Sequence, residues 1–175
     1  PRTPFECGGV RLFEPVAGCR AEIGLVFYDA YDPAFYLSSL EIPSEVLAPL
    51  FGPKTQYIGQ LEQFASAAVD HTFASMLHQR HAIYFVDNQG ALAAMVGGSS
   101  TDPSMGQMAL DAALTQFHNS TKVWYEWVPS DENIADLPSR GAIREAVALL
   151  RRRFRIPVHV RQVVLPPPPL LASLE

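Results

Sequence analysis

The stretch KVWYEWVPSDENIADLPSR, residues 122–140, decides how the rest of this chain is interpreted. Its first part, Lys122 to Val128, is rich in aromatic and β-branched residues and predicts a strand. A polar loop from Pro129 to Asn133 follows, and from Ala135 to about Arg153 the composition is helical, although Pro138 and Gly141 interrupt the start of this helix. The stretch therefore predicts a strand that leads through a short loop into a helix, with Asp136 at the helix start.

Upstream of this stretch the apolar pattern predicts strands and one long helix. Glu22 to Ala30 and Phe35 to Ile42 are β-favouring runs separated by the turn signal Tyr31-Asp32-Pro33-Ala34, which predicts a hairpin. Apolar residues recur near helical spacing from Ile58 to about Leu77. Ala82 to Val86 is a short continuous apolar run, typical of a strand buried on both faces.

The remaining segments complete an alternating pattern. Asn88 can cap a helix over Gly90 to Val96, a second helix covers Ser104 to Phe117, and Val158 to Leu165 predicts a last strand. The order of elements is that of an α/β protein with a mixed sheet and helices on its faces.

Length and composition are those of one ordinary globular domain of 175 residues. We expect the domain to span residues 21–165, with a loop or first-strand remnant in residues 1–20 and a Pro-rich tail in residues 166–175. The sequence contains no apolar run long enough for a membrane span and no secretory signal, so we expect an intracellular protein, nuclear or cytoplasmic, without a membrane partner. Cys7 and Cys19 are expected to be reduced thiols.

Charge is distributed unevenly along the chain. Residues 1–139 hold 6 basic and 16 acidic side chains, whereas residues 140–175 hold 7 basic and 2 acidic ones. The densest basic cluster is Arg151, Arg152, Arg153 and Arg155. It could contact phosphates, or it could be the solvated end of a helix beside its own negative dipole.

Three acids lie where the predicted elements would let them meet. Glu62 opens the long helix, Asp87 ends the apolar strand and Asp136 opens the last helix, with separations of 25 and 49 residues. Each has an ordinary structural explanation, as a partner of a helix dipole or as a helix cap. Together they predict a carboxylate site of the kind that holds two divalent ions for phosphodiester cleavage, and hard oxygen ligands suit Mg²⁺ or Mn²⁺.

Three motifs carry a resemblance to a known family. Leu61-Glu62-Gln63-Phe64-Ala65, Val86-Asp87-Asn88 and the block from Pro129 to Arg140 resemble, in order and spacing, the ribonuclease H domain of retroelement reverse transcriptases. The block is the specific motif, and the resemblance covers roughly Ile23 to Gly141. It implies an RNase H-like α/β fold with a mixed sheet, helices on both faces and a first strand that is missing or degenerate here.

The resemblance also implies an activity, cofactors and partners. The activity is endonucleolytic cleavage of the RNA strand of an RNA–DNA hybrid with two Mg²⁺ or Mn²⁺ ions. Glu62, Asp87 and Asp136 would be the catalytic metal ligands. The implied nucleic-acid-binding residues are Asn88, Lys122, Ser139 and Arg140, and the implied partner is an adjacent reverse transcriptase polymerase domain.

Two departures from the family pattern keep alternatives open. The family has a fourth acid, an Asp ending the first strand, and no Asp precedes Asp29. Glu14, after Val10 to Phe13, could take the role, a residue upstream of Pro1 could supply it, or the domain could be a catalytically silent scaffold or binding module. The family's occasional His before the last Asp is also missing from Pro129 to Asn133. An integrase-like or exonuclease-like domain fits the motifs less well.

Histidine and tryptophan residues give weaker signals. His71, His78 and His81 lack the spacing of a zinc helix, so we expect no zinc site. Trp124 and Trp127 should point to opposite faces of their strand, one into the core and one outward, where it could stack on a base.

Overall fold

The computed structural model describes residues 21–43, 46 and 58–166. The strands are β1 Glu22–Asp29, β2 Ala34–Glu41, β3 His81–Val86, β4 Lys122–Trp127 and β5 Val158–Val160. The helices are α1 Ile58–Thr72, α2 Ala74–Leu77, α3 Gln89–Gly97, α4 Pro103–His118, α5 Asp136–Ser139 and α6 Ile143–Phe154. The described part is therefore an α/β structure, as the sequence predicts.

The five strands form two sheets. β1 and β2 are the predicted antiparallel hairpin, and β5 adds to β2 in parallel, so that the order is β1-β2-β5. The hairpin turn is held by the amide of Tyr31, which donates to the Asp29 side chain at 2.9 Å. β3 and β4 pair in parallel as a separate sheet. The described strands thus do not join into the single mixed sheet that the resemblance implies.

An ion pair connects the two sheets. The Arg80 guanidinium, just before β3, binds both carboxylate oxygens of Asp29 at the end of β1, at 3.0 and 3.1 Å. Within the described residues, β1 pairs only with β2 and β3 only with β4.

Helices cover both faces of the three-stranded sheet. On one face, α1 packs against β1 in a core that includes Ile23, Leu25, Leu61 and Phe64. On the other face, α6 packs against β2 and β5 through Leu37, Ala146, Leu150 and Val158. This two-sided cover agrees with the predicted layout, and burial of these apolar side chains is its main source of stability.

The strand β3 differs from its prediction. It was expected to be buried on both faces, but Ile83 is 60% exposed and Phe85 63% exposed, while Tyr84 and Val86 are buried. Trp124, which pairs with Ile83 across the sheet, is 67% exposed and Trp127 is 44% exposed, so neither tryptophan lies in the core. One face of the β3–β4 sheet is therefore open to solvent.

Two element boundaries differ from the sequence prediction, and a third agrees with it. The long helix is interrupted at Phe73, which is fully buried and lies between α1 and α2. The last helix is interrupted near its start at Gly141, as predicted, and the φ of Gly141, +73°, is one that a residue with a side chain rarely adopts. The last strand ends at Val160, and beyond it the Val164 amide donates to the Thr72 hydroxyl instead of a strand neighbour.

Candidate active site

The three predicted acids come from three different elements. Asp87 directly follows β3, and Asp136 is the first residue of α5, both as expected. Glu62 is the fifth residue of α1, so it lies beyond the first turn, where a helix dipole would favour an acid. The explanation of Glu62 as a simple dipole partner is therefore wrong.

Glu62 and Asp87 meet although 25 residues separate them. Their carboxyl groups are hydrogen-bonded to each other, and the Asn88 amide donates to Glu62 Oε2 at 2.9 Å. Partial burial, followed by the contact with Asp87, raises the pKa of Glu62 to about 8, and the Asn88 amide opposes the rise. Glu62 therefore keeps its proton near neutral pH.

The backbone around Asp87 is fixed by its neighbours. Asn88 caps α3, as predicted, because its side-chain oxygen accepts from the Ala91 amide at 2.9 Å. The Trp127 indole donates to the Asp87 carbonyl at 3.2 Å. Since Asn88 is the cap, Asp87 has no capping role, and its carboxyl group is free to face Glu62.

Asp136 is near the pair but is directed elsewhere. It adds to the pKa rise of Glu62 through its charge, so it lies within electrostatic reach. Its carboxylate makes a 2.6 Å ion pair with Arg140, one helical turn further on. The N-cap of α5 is Ala135 and makes no side-chain cap bond, so the interpretation of Asp136 as a cap is also wrong.

The helix α5 sits against a glycine of β1. A Cβ on Gly24 would lie 2.5 Å from the Ala135 carbonyl oxygen and 2.8 Å from the Pro138 carbonyl carbon, with the Ser139 nitrogen closer still. Only glycine lets the α5 backbone approach β1 this closely. Gly24 therefore sets the position of Asp136 relative to the sheet.

The fit of this site to a metal ion is partial. Carboxylate oxygens are the ligands that Mg²⁺ and Mn²⁺ prefer, and Glu62 and Asp87 already converge. Asp136 is held by Arg140, and no group of three or more His, Cys, Asp or Glu side chains within the described ranges is arranged to hold a metal ion. Two of the three predicted ligands are in place, and the third needs to leave Arg140.

The predicted nucleic-acid contacts are only partly gathered here. Asn88 and Arg140 adjoin the acids, and the Ser139 hydroxyl donates to the Asp136 carbonyl at 3.0 Å. Lys122 lies at the start of β4, about 17 Å along the strands from the Asp87 end. Lys122 therefore lies apart from the acids, and its contact with nucleic acid stays a prediction. Glu14 lies outside the described residues.

An open cleft of about 320 Å³ lies between the first residues of α1, the start of α3 and the start of α4. Across the cleft the Gln60 amide donates to Asp102 at 2.9 Å, and Asp102 also caps α4. Polar and apolar residues both line the cleft, and neither Glu62 nor Asp87 is among them.

One buried polar feature was missed by sequence reasoning. Gln60, Gln63 and Asp70 are each at least 95% buried and lie along one stripe of α1, at spacings of 3 and 7 residues. That spacing next to the apolar stripe is the signal in the sequence. Gln60 donates to Asp102 and Gln63 donates to the Met105 carbonyl. Asp70 accepts from Gln116 and Tyr84.

Asp70 is the centre of this polar contact. It accepts from the Tyr84 hydroxyl at 2.6 Å and from the Gln116 amide at 2.9 Å, and Gln116 also donates to the Tyr125 hydroxyl at 2.7 Å. Burial raises the pKa of Asp70 to about 6, although both hydrogen bonds oppose the rise. The network ties α1 and α4 to both strands of the β3–β4 sheet.

Comparison with known proteins identifies no relative. No protein-family model, no curated protein and no solved structure matches this chain. In the described part of the chain, no helix is both long and apolar enough to cross a bilayer. The fold and the site define an α/β structure with a close carboxylate pair between helix α1 and the end of strand β3.

Proposed function

We propose that this chain is an RNase H-like domain derived from a retroelement polyprotein, and that it cleaves the RNA strand of RNA–DNA hybrids. The observation that supports the proposal most is the hydrogen-bonded contact between Glu62 and Asp87, with Asp136 in electrostatic reach. The same three acids stand in the motifs that resemble the retroelement family.

A structural role does not explain this contact well. Two carboxyl groups that share one proton repel each other once both are ionised, and partial burial adds to the cost. The caps of the neighbouring helices are Asn88 and Ala135, so neither Asp87 nor Asp136 is needed for capping. A bound divalent cation would remove the repulsion, which supports a metal site.

Glu62, Asp87 and Asp136 would hold the ions. When bound, a pair of divalent ions supplies water activation and stabilisation of the leaving oxygen. Arg140 is 73% exposed and could move from Asp136 to a substrate phosphate, for which a guanidinium is a good ligand. Substrate binding would then release Asp136 towards the other two acids.

A fourth acid would complete the set implied by the resemblance. Within the described residues β1 has a strand partner on one side only, and the start of β1 is where α5 packs and where Asp136 lies. We propose that either Glu14 or a residue upstream of Pro1 supplies the fourth acid.

The test is cleavage of a labelled RNA–DNA hybrid with Mg²⁺ or Mn²⁺. This chain is compared with a version extended upstream of Pro1, with Glu14→Gln and with Asp87→Asn. Asp131→Asn is the matched control, because Asp131 is an exposed acid of the nearby loop. Cleavage that is lost in Asp87→Asn and kept in Asp131→Asn supports the proposal, and Glu14→Gln then distinguishes the two sources of the fourth acid.

The second candidate is a catalytically silent RNase H-fold scaffold or binding module. The ion pair of Asp136 with Arg140 favours it, because it occupies one of the expected ligands. A scaffold predicts no cleavage by either version of the chain and no stabilisation by Mg²⁺. A rise in melting temperature with Mg²⁺ that disappears in Asp87→Asn would contradict it.

The acidic balance of the chain bears on its partners. With a net charge of −5, the domain alone should bind a hybrid weakly, so we propose that an adjacent reverse transcriptase polymerase domain supplies much of the affinity. Tight binding of a hybrid by the isolated chain at physiological salt would contradict this dependence.

A further inference from the structure

The outer edge of the three-stranded sheet carries a concentrated positive charge. Exposed arginines lie on the last turn of α6, directly after it, and directly after β5. We call this set the arginine edge, and its members are Arg151, Arg152, Arg153, Arg155 and Arg161. Within the described part of the chain, none of them has an ion pair with a carboxylate. The positive charge of the arginine edge is therefore not neutralised by described carboxylates, and it can attract an anionic partner.

Several of these side chains are held in place. The Arg161 guanidinium lies 4.9 Å from the centre of the Tyr36 ring, and that of Arg153 lies 5.5 Å from the centre of the Phe154 ring. Arg151 donates to the Val158 carbonyl at 3.1 Å and so joins the end of α6 to β5. Ring contacts order a guanidinium while its N–H groups stay available, which lowers the entropic cost of binding an anion.

Ordinary structural roles account for only part of the edge. Basic residues in the last turn of a helix are stabilised by the helix dipole, which covers Arg151, Arg152 and Arg153. Arg161 is not on that helix, and it reaches Tyr36 on the opposite face of the sheet from α6. Positive charge therefore lies on both faces of the sheet at this edge. The dipole of α6 does not explain the charge on the face opposite that helix.

We propose that the arginine edge binds the phosphate backbone of a nucleic-acid duplex. The proposal rests on the proposed function, since the duplex would be the substrate hybrid. Guanidinium groups bind phosphate oxygens in a bidentate manner and need no base sequence. Residues 1–139 carry 6 basic and 16 acidic side chains, so this edge is where a polyanion finds opposite charge.

The arginine edge and α5 are separated along the three-stranded sheet. Gly24, against which α5 packs, is four residues along β1 from Tyr28, and Tyr28 pairs with Phe35, the partner of Val158 in β5. Four residues along a strand and two strand spacings across the sheet give about 17 Å between Gly24 and Val158. This is the rise of about five base pairs. A duplex bound at the edge would have to extend about this far to reach α5, which carries Asp136.

The test measures how salt weakens binding of a fluorescent RNA–DNA hybrid in EDTA, where cleavage cannot occur. The test variant is Arg153→Gln with Arg161→Gln. The control is Arg144→Gln, which removes one positive charge from a described residue outside the edge and is matched to the single variant Arg152→Gln. Loss of two phosphate contacts should lower the salt slope by about two, so the weakening between 50 and 200 mM salt shrinks about tenfold. The control should keep the wild-type slope.

Further variants keep the result decisive. Arg153→Lys with Arg161→Lys should retain most of the slope, because the charge remains. If the double Gln variant fails to fold, Arg152→Gln alone should lower the slope by about one, since no described contact of its side chain would be lost. An unchanged slope in the edge variants, an equal fall in the control, or no binding by the wild type at low salt would overturn the proposal.

The outcome is separable from that of the proposed function. Salt-sensitive binding through the edge without cleavage under Mg²⁺ or Mn²⁺ would leave the inference standing and remove the nuclease activity. Cleavage by the wild type, with unchanged binding in the edge variants, would support the nuclease activity and overturn the inference about the arginine edge.

Discussion

The carboxyl groups of Glu62 in α1 and Asp87 after β3 are hydrogen-bonded to each other, and this contact with partial burial raises the pKa of Glu62 to about 8. The Asn88 amide binds the other side of the Glu62 carboxylate at 2.9 Å. Near neutral pH Glu62 therefore keeps its proton in the absence of a cation. This relationship connects the stability of the fold to pH, to metal ions and to the proposed chemistry.

Replacing Asp87 by Asn should leave the metal-free protein as stable as the wild type or more stable. The substitution removes one of two carboxyl groups in contact while an amide can still hydrogen-bond to Glu62. The same change should abolish Mg²⁺-dependent cleavage of a hybrid. Urea unfolding in EDTA and a cleavage assay check the two effects, with Asp131→Asn as control. Unchanged cleavage would remove Asp87 from the site.

Stability without metal should fall as pH rises from 6 to 8. The pKa of Glu62 is raised from 4.5 to about 8 in the folded state, so in this range the folded protein keeps a proton that the unfolded chain has lost. Asp70 contributes a similar fall at lower pH, because its pKa is raised only to about 6. Above pH 6 the fall in stability is therefore due mainly to Glu62.

Unfolding at pH 6 and pH 8 measures this dependence. Glu62→Gln cannot ionise, so its stability should change less between the two pH values than that of the wild type. Saturating Mg²⁺ should also weaken the dependence if the acids bind it, because the cation favours the ionised form. Equal pH slopes in Glu62→Gln and the wild type would show that the Glu62–Asp87 contact does not form in solution.

Tyr84→Phe should destabilise the fold by about 1–3 kcal/mol, the usual cost of leaving a buried polar group without its partner. Tyr84 donates to Asp70 at 2.6 Å, and both residues are buried. Loss of this donor should also raise the pKa of Asp70 further, since the hydrogen bond lowers it. Tyr31→Phe is the control, because Tyr31 is 74% exposed and its ring would still contact Arg80. Chemical denaturation gives both free energies of unfolding.

Gly24→Ala should separate α5 from β1 and cost about 1–3 kcal/mol, as overpacking of a tight contact does. The new Cβ would lie 2.5 Å from the Ala135 carbonyl oxygen, and that contact is with backbone that cannot simply rotate away. Asp136 should move with α5, so the loss of cleavage activity should be larger than the reduced stability alone would cause. Gly97→Ala is the matched control, because the nearest atom to its Cβ would be 3.9 Å away. Similar losses in both variants would argue against this role of Gly24.

Local sequence patterns predicted the elements well, with particular exceptions. The hairpin, the helices after Asn88 and Asp102, and the strand leading to Trp127 agree with the structure because turn residues, caps and periodicity act within a few residues. The burial of β3 was predicted wrongly. An apolar run shows that a strand is apolar but not what covers it, and Ile83 and Phe85 are exposed.

In the candidate site, too, the residues could be predicted from the sequence but their contacts could not. The sequence identified Glu62, Asp87 and Asp136 from their motifs, but it could not show that the first two share a hydrogen bond while the third binds Arg140. Side-chain direction depends on which elements pack together. The polar stripe that includes Asp70 was missed for this reason, because its partners are 14 and 46 residues away.

By itself, the sequence determined the α/β class and the order of its elements, and it predicted which carboxylates would bind a cation, because propensity, periodicity and side-chain chemistry are local properties. Only the tertiary structure decided that the described strands form two separate sheets. It also decided that Glu62 meets Asp87, and that arginines gather around the outer edge of the sheet. These relationships join residues that are distant in sequence, and they arise only when packing brings separate elements together.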